Sequence, residues 1–243
     1  LLERLVEQIE QDSETLPAGT KRTLIFLGDY IDRGLQSRDA IDFLIGDRLK
    51  EFRTIFLMGN HEEALLRFLS DAGFGKQWVR YGGGETLYSY GFQPPNTRSS
   101  LTSHEAMTAA QKAWEKVWTG FRERLPDEHL NFYNSLQSYH VAGDYLFVHA
   151  GMRPDVPLEQ QSARDLLWIR DEFLDDTKEF ERCQLSGNES CLGINLQSGV
   201  CRQQRRIWGH DDSSLNLLSL GGWRFSDCVC LSGWHSNSEI RRT

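Results

Sequence analysis

The sequence predicts an α/β fold whose chemistry sits where strands end, and two observations carry that prediction. Short apolar runs rich in β-branched and aromatic residues alternate with stretches of helical periodicity, and three of the runs lead directly into polar motifs. The runs are Thr23-Leu24-Ile25-Phe26-Leu27, Thr54-Ile55-Phe56-Leu57-Met58 and Tyr145-Leu146-Phe147-Val148. They are followed by Gly28-Asp29-Tyr30-Ile31-Asp32-Arg33-Gly34, Gly59-Asn60-His61-Glu62 and His149-Ala150-Gly151. Ligands of α/β sheets bind outside the carboxyl ends of the strands, so Asp29, Asn60 and His149 can converge from distant positions. Oxygen and imidazole donors in convergence suit a divalent metal.

The elements follow in order. Leu1, Leu2, Leu5, Val6 and Ile9 recur at helical spacing, and Pro17-Ala18-Gly19 breaks to the first strand. Asp29 and Asp32 would have a plainer use in capping a helix that starts near Ser37. Asn60 has a plainer use as a turn residue and His149 as a core histidine. Residues 62–70 read as a helix with Leu65, Leu66, Phe68 and Leu69 available for burial, ended by Asp71-Ala72-Gly73. Glu62 reads as a charge at the positive end of that helix. Gly82-Gly83-Gly84 lacks the Lys-Ser/Thr of a phosphate-binding P-loop and reads as a backbone turn. Gln93-Pro94-Pro95-Asn96 is a loop. Thr102-Ser103-His104-Glu105 is a capping box opening a helix through Trp114 and Trp118. Pro126 starts another, through Leu130, Phe132, Tyr133 and Leu136. His104 and His129, near helix starts, are expected to face solvent, and His140 flanks a strand.

Composition bounds the function. The 243 residues carry a net charge of −8 and 39% hydrophobic residues, enough for one substantial α/β domain. No apolar run approaches the roughly 20 residues that span a bilayer. The acidic balance, without a basic cluster interleaved with aromatics before residue 182, argues against nucleic acid as a partner. No membrane partner is expected either, and a cytoplasmic location fits residues 1–182, which contain no cysteine.

The order GDxxDRG, GNHE, HAG resembles the phosphoprotein phosphatase family of calcineurin-like metallophosphoesterases, in particular the bacterial branch that includes bacteriophage lambda phosphatase. Trp78-Val79-Arg80-Tyr81-Gly82-Gly83-Gly84 and Leu166-Leu167-Trp168-Ile169-Arg170 agree with that branch, so the resemblance covers about residues 1–182. It implies a two-sheet sandwich flanked by helices, with residues 102–137 as a helical insertion that shapes substrate access. It also implies two divalent metal ions, manganese with iron or zinc as alternatives. Asp29 would bridge them, and Asn60 and His149 would complete the second with a late histidine. Arg33 and Arg170 would bind phosphate oxygens, His61 would protonate the leaving group, and Asp32 would orient His61. The implied reaction is attack of a metal-bound hydroxide on phosphoserine or phosphothreonine of a phosphoprotein or phosphopeptide. Two other functions remain open: hydrolysis of a dinucleoside polyphosphate such as diadenosine tetraphosphate, and a non-catalytic phosphatase-like binding module. For Arg170 the plainer readings are a surface helix residue or a salt bridge to Asp171.

Both ends depart from the family pattern. A first strand ending in G-D-x-H is absent, and no initiator methionine is present, so the chain is expected to be a fragment lacking its first strand and two metal ligands. Residues 183–243 hold all five cysteines, ten serines and no lysine. Where the family has G-H-T-P, this chain reads Gln184-Leu185-Ser186-Gly187-Asn188-Glu189-Ser190. Three readings of this tail compete: a divergent second half in which His210 supplies the late metal ligand, an appended segment, or an out-of-frame translation. The joint rise of Cys, Ser and Arg with the loss of Lys favours the last. The cysteines contain no C-x-x-C pair and give only a faint zinc signal. Given these departures, the chain is expected to be an impaired enzyme.

Overall fold

The computed structural model describes residues 2–14, 20–96, 104–143, 145–174, 183–186, 194–195, 202–203 and 228–231. In chain order the regular elements are α1 (Leu2–Ser13), β1 (Thr23–Phe26), α2 (Ser37–Ile45), β2 (Arg53–Phe56) and α3 (Asn60–Ser70). Then come α4 (Gly75–Tyr81), α5 (Gly83–Ser89), α6 (His104–Arg124), α7 (Asp127–Ser135), β3 (Tyr139–Ala142) and β4 (Tyr145–Val148). The last are α8 (Ala163–Trp168), α9 (Asp171–Leu174), β5 (Cys183–Ser186), β6 (Ile194–Asn195), β7 (Arg202–Gln203) and β8 (Cys228–Leu231). Among the described residues no helix is long and apolar enough to cross a membrane.

Two compact units are distinguished. The first takes in the described residues of Leu1–Gly28, Arg48–Asn60 and Leu136–Gly233, and it contains both sheets. One sheet has the order β2-β1-β8, with β1 parallel to both neighbours. The other has the order β3-β4-β5-β6-β7 and is mixed: β4 and β5 run parallel, the other pairs antiparallel. Ile25 and Leu27 pack with Ile55, Leu57 and Phe147 in one buried cluster, so the two sheets face one another across an apolar layer. This is the two-sheet α/β arrangement the sequence predicts. The tail contributes to it directly. β5 lies along β4 in the register Val148↔Ser186, and β8 lies along β1 in the register Thr23↔Cys228.

The run at 145–148 is a strand over the expected residues, and the other two runs form strands within a residue or two of them. Leu57 continues the second run by donating its N–H to Phe26 O, while Met58 N–H reaches Gln137 O. α1 buries Leu2, Val6 and Ile9, the face its spacing predicts.

The second unit takes in Asp29–Asp47 and His61–Ser135. Its core is aromatic: Phe68 stacks on Trp78 with ring centroids 4.9 Å apart, and Phe121 meets both. Gly75 and Gly83 lie against these rings. A Cβ on Gly75 would sit 2.3 Å from Trp114, and one on Gly83 would sit 2.3 Å from Trp78. Asp71 ends α3 as expected, its Oδ1 accepting the Gly73 N–H. The expected turn at the glycine run is confined to Gly82, a left-handed cap with φ 108° that closes α4. Gly83 and Gly84 are helical. The capping box at Thr102-Ser103 lies outside the described residues.

One expectation is corrected here. His129 does not face solvent: it is fully buried, with Nε2 2.8 Å from Asp42 Oδ1 and Nδ1 2.7 Å from the Tyr90 hydroxyl. Its place one turn into a helix identifies neither the carboxylate nor the phenol that satisfy it.

Candidate active site

In the first unit the site begins at Gly28, where φ is +96°. A Cβ there would lie 2.6 Å from the backbone of Gly59 and 2.9 Å from His149 Nδ1, so only glycine permits this approach. His149 is fully buried. Its Nδ1 lies 2.7 Å from Leu27 O, and since a carbonyl only accepts, Nδ1 carries the proton. Nε2 lies 2.8 Å from Asn60 Oδ1. An imidazole nitrogen and a carboxamide oxygen held this close are donor types that fit a shared divalent cation. The structure thus brings together Asn60 and His149, two of the four predicted metal ligands. Ser186, at the end of β5, donates toward His149 O and Ala150 O at 3.0 and 2.8 Å. Gly151 admits the ring of Phe173, which would lie 2.6 Å from a Cβ.

Arg170 also belongs to the first unit. It stands in the non-helical joint between α8 and α9, and its Nη1 donates to Ile169 O at 3.0 Å. The helix before it is fixed by a capping box in which Ser162 and Asp165 exchange hydrogen bonds, with Arg153 2.9 Å from Asp165.

The second unit holds Asp29, Asp32, Arg33 and His61. Asp29, Asp32 and Arg33 all have positive φ, 61°, 73° and 57°. Left-handed backbone at three non-glycine residues out of five marks a loop held by its surroundings. Glu62 does much of the holding. Its Oε2 accepts the N–H of Asp29 at 2.9 Å and its Oε1 that of Tyr30 at 2.7 Å. The carboxyl is fully buried, and burial together with the Asp29 charge pushes it up to about 8. Glu62 lies in the first turn of α3, as expected, and its side chain turns inward to the loop at Asp29. Arg33 keeps its guanidinium exposed, while its N–H donates to Gly82 O at 3.0 Å.

Asp32 and His61 form a buried pair, Oδ2 to Nδ1, at 2.7 Å. Trp78 Nε1 donates to the same Oδ2 at 3.0 Å and Thr86 Oγ1 to Oδ1 at 2.6 Å. Burial pushes Asp32 up while these three donors pull it down. Burial prevails, and the net direction for Asp32 is up. For His61, burial alone would lower the pKa. The Asp32 hydrogen bond and the charges of Asp29, Asp32 and Glu62 outweigh it and raise the net value. The acidic proton is then the one on Nε2.

His210, the candidate late ligand, lies outside the described residues. A group that sequence reasoning did not propose is Asp42, Glu128 and His129, whose ligand atoms lie within 4.8 Å of one another. It could hold a metal, although His129 is already satisfied by Asp42 and Tyr90.

The sequence profile of the calcineurin-like phosphoesterases matches residues 1–211. The chain belongs to that family. The match reaches past residue 182 into the segment that supplies β5, β6 and β7. No curated protein matches the chain. As a calcineurin-like phosphoesterase it is a metal-dependent hydrolase of phosphoesters, and the Asn60 and His149 donors have the chemistry that role requires.

Proposed function

We propose that this phosphoesterase removes phosphate from phosphoserine and phosphothreonine of proteins, using manganese. The observation that carries the reading is the buried Asp32 and His61 pair at 2.7 Å, which holds the imidazole ring in place. An acid there matters when the leaving group is an alkoxide, as in a serine or threonine ester, because that oxygen departs poorly without a proton. Divalent cations, when bound, neutralise phosphoryl oxygens and make water a nucleophile near neutral pH. The residues that would hold them are Asp29, Asn60 and His149. Arg33 and Arg170 present planar donor forks suited to phosphoryl oxygens. His61 releases the Nε2 proton to the departing oxygen, and Asp32 keeps the ring in one orientation and stabilises its charge. We place the activity in the cytoplasm, in keeping with the cysteine-free residues 1–182.

The test compares two substrates in manganese buffer. His61→Asn should lower turnover of a phosphoserine peptide by about 100-fold or more, the scale of general acid catalysis. The loss should be smaller on para-nitrophenyl phosphate, whose phenolate leaves without help. Equal losses would remove His61 from the acid role. Faster hydrolysis of diadenosine tetraphosphate than of the phosphopeptide would replace the protein substrate by a nucleotide.

A further inference from the structure

We infer that Trp78 and Thr86 are positioning residues of the catalytic acid, holding the Asp32 carboxylate in the one rotation that aims His61. This rests on the reading of His61 as the acid. The two residues lie in the glycine-containing segment after α3, which the motifs themselves leave without a role. Trp78, Thr86, Asp32 and His61 are all at most 2% exposed, so every polar atom among them must be satisfied by protein.

The hydrogen bonds are specific in direction. The Thr86 hydroxyl accepts the N–H of Asp32 at 2.9 Å and donates to Oδ1 of the same residue at 2.6 Å. One hydroxyl therefore ties the backbone and the side chain of Asp32 together and fixes the torsion between them. Trp78 occupies the second lone pair of Oδ2 at 3.0 Å, leaving the other to His61 at 2.7 Å. The carboxylate can turn only by breaking one of these contacts. Asp32 itself has a left-handed backbone with φ 73°, a conformation that needs such support. The indole is held in turn by Phe68, stacked at 4.9 Å, and by the missing side chain of Gly83. A carboxylate that lost one of these contacts would no longer present Oδ2 to the imidazole in each turnover.

The experiment uses Thr86→Val, which keeps the shape and deletes the hydroxyl, Thr86→Ser, which restores it, and Trp78→Phe, all on the manganese-loaded protein. Thr86→Val should lower kcat on the phosphoserine peptide about tenfold or more. KM should stay within about twofold, kcat on para-nitrophenyl phosphate should fall much less, and Thr86→Ser should recover most of the loss. Trp78→Phe should give the same pattern in weaker form. An independent readout, taken with diamagnetic zinc in place of manganese, is the downfield proton resonance of His61 Nδ1, which should move upfield or broaden in Thr86→Val and return in Thr86→Ser. Equal losses on both substrates, no recovery with serine, or an unmoved resonance would overturn the inference. A substrate difference in His61→Asn but none in Thr86→Val overturns it alone. No substrate difference in His61→Asn overturns the acid reading and this inference with it.

Discussion

At the scale of single residues, the site is defined as much by what is absent from a side chain as by what is present. Gly28 has both a left-handed φ of +96° and backbone 2.6 Å from where a Cβ would stand. Gly28→Ala should therefore destabilise the protein by about 1–3 kcal/mol, since the opposing atoms are main chain and cannot swing away. Urea denaturation would measure this, and an unchanged midpoint would mean that the two strand ends can separate at no cost. His61 and Glu62 are neighbours in sequence with different work. The imidazole pairs with Asp32, while the carboxyl of Glu62 satisfies two N–H groups of the loop at Asp29. The motif Gly59-Asn60-His61-Glu62 was legible as a site, but the partners of Glu62 lie more than 30 positions away and no local spacing indicates them.

At the scale of elements, a helix end places one of the phosphate-binding candidates. Arg170 follows α8, whose start is secured by Ser162 and Asp165. Ser162→Ala should cost about 1 kcal/mol of stability at neutral pH by removing the acceptor of the Asp165 N–H. The Ser162 hydroxyl and the Arg153 guanidinium hold Asp165 below its ordinary value of 3.8. A depressed carboxylate contributes stability that is complete above the unfolded value and is lost as pH falls through the folded one. Asp165→Asn should thus lower the urea midpoint at pH 7 and lose less than the wild type between pH 4 and pH 2. A parallel fall of both proteins across that range would show that Asp165 carries none of the acid sensitivity. The helices α3 and α7 were legible from their apolar spacing. The division of the glycine run into a cap at Gly82 and a helix from Gly83 was not, because what Gly83 answers to is the Trp78 ring, which leaves no room for a Cβ, and not a turn of the backbone.

At the scale of the whole molecule, metal binding and stability are linked. A cation bound only by the folded protein stabilises it by about 2.7 kcal/mol at 100 times its Kd. Manganese should raise the melting temperature, and a chelator should reverse the rise. The double substitution Asn60→Ala with His149→Ala should cut the manganese-dependent shift sharply, because it removes both donors that meet at 2.8 Å. An undiminished shift in the double variant would place the stabilising cation elsewhere, with Asp42, Glu128 and His129 as the group to substitute next.

What the sequence determined by itself was the set of strand ends and the residues that follow them. A buried strand is written in its own apolar run, and three polar motifs each placed directly after such a run let Asp29, Asn60, His61 and His149 be named as candidates before any coordinates. The tertiary structure decided the rest. Strand pairing is made by backbone groups that carry no side-chain identity, so nothing in Cys228-Val229-Cys230-Leu231 announces a partner in β1. Burial of a polar group is likewise settled by distant atoms. His129 is inside because Asp42 and Tyr90 meet its two nitrogens, and Thr86 matters because its hydroxyl reaches a carboxylate 54 residues earlier in the chain.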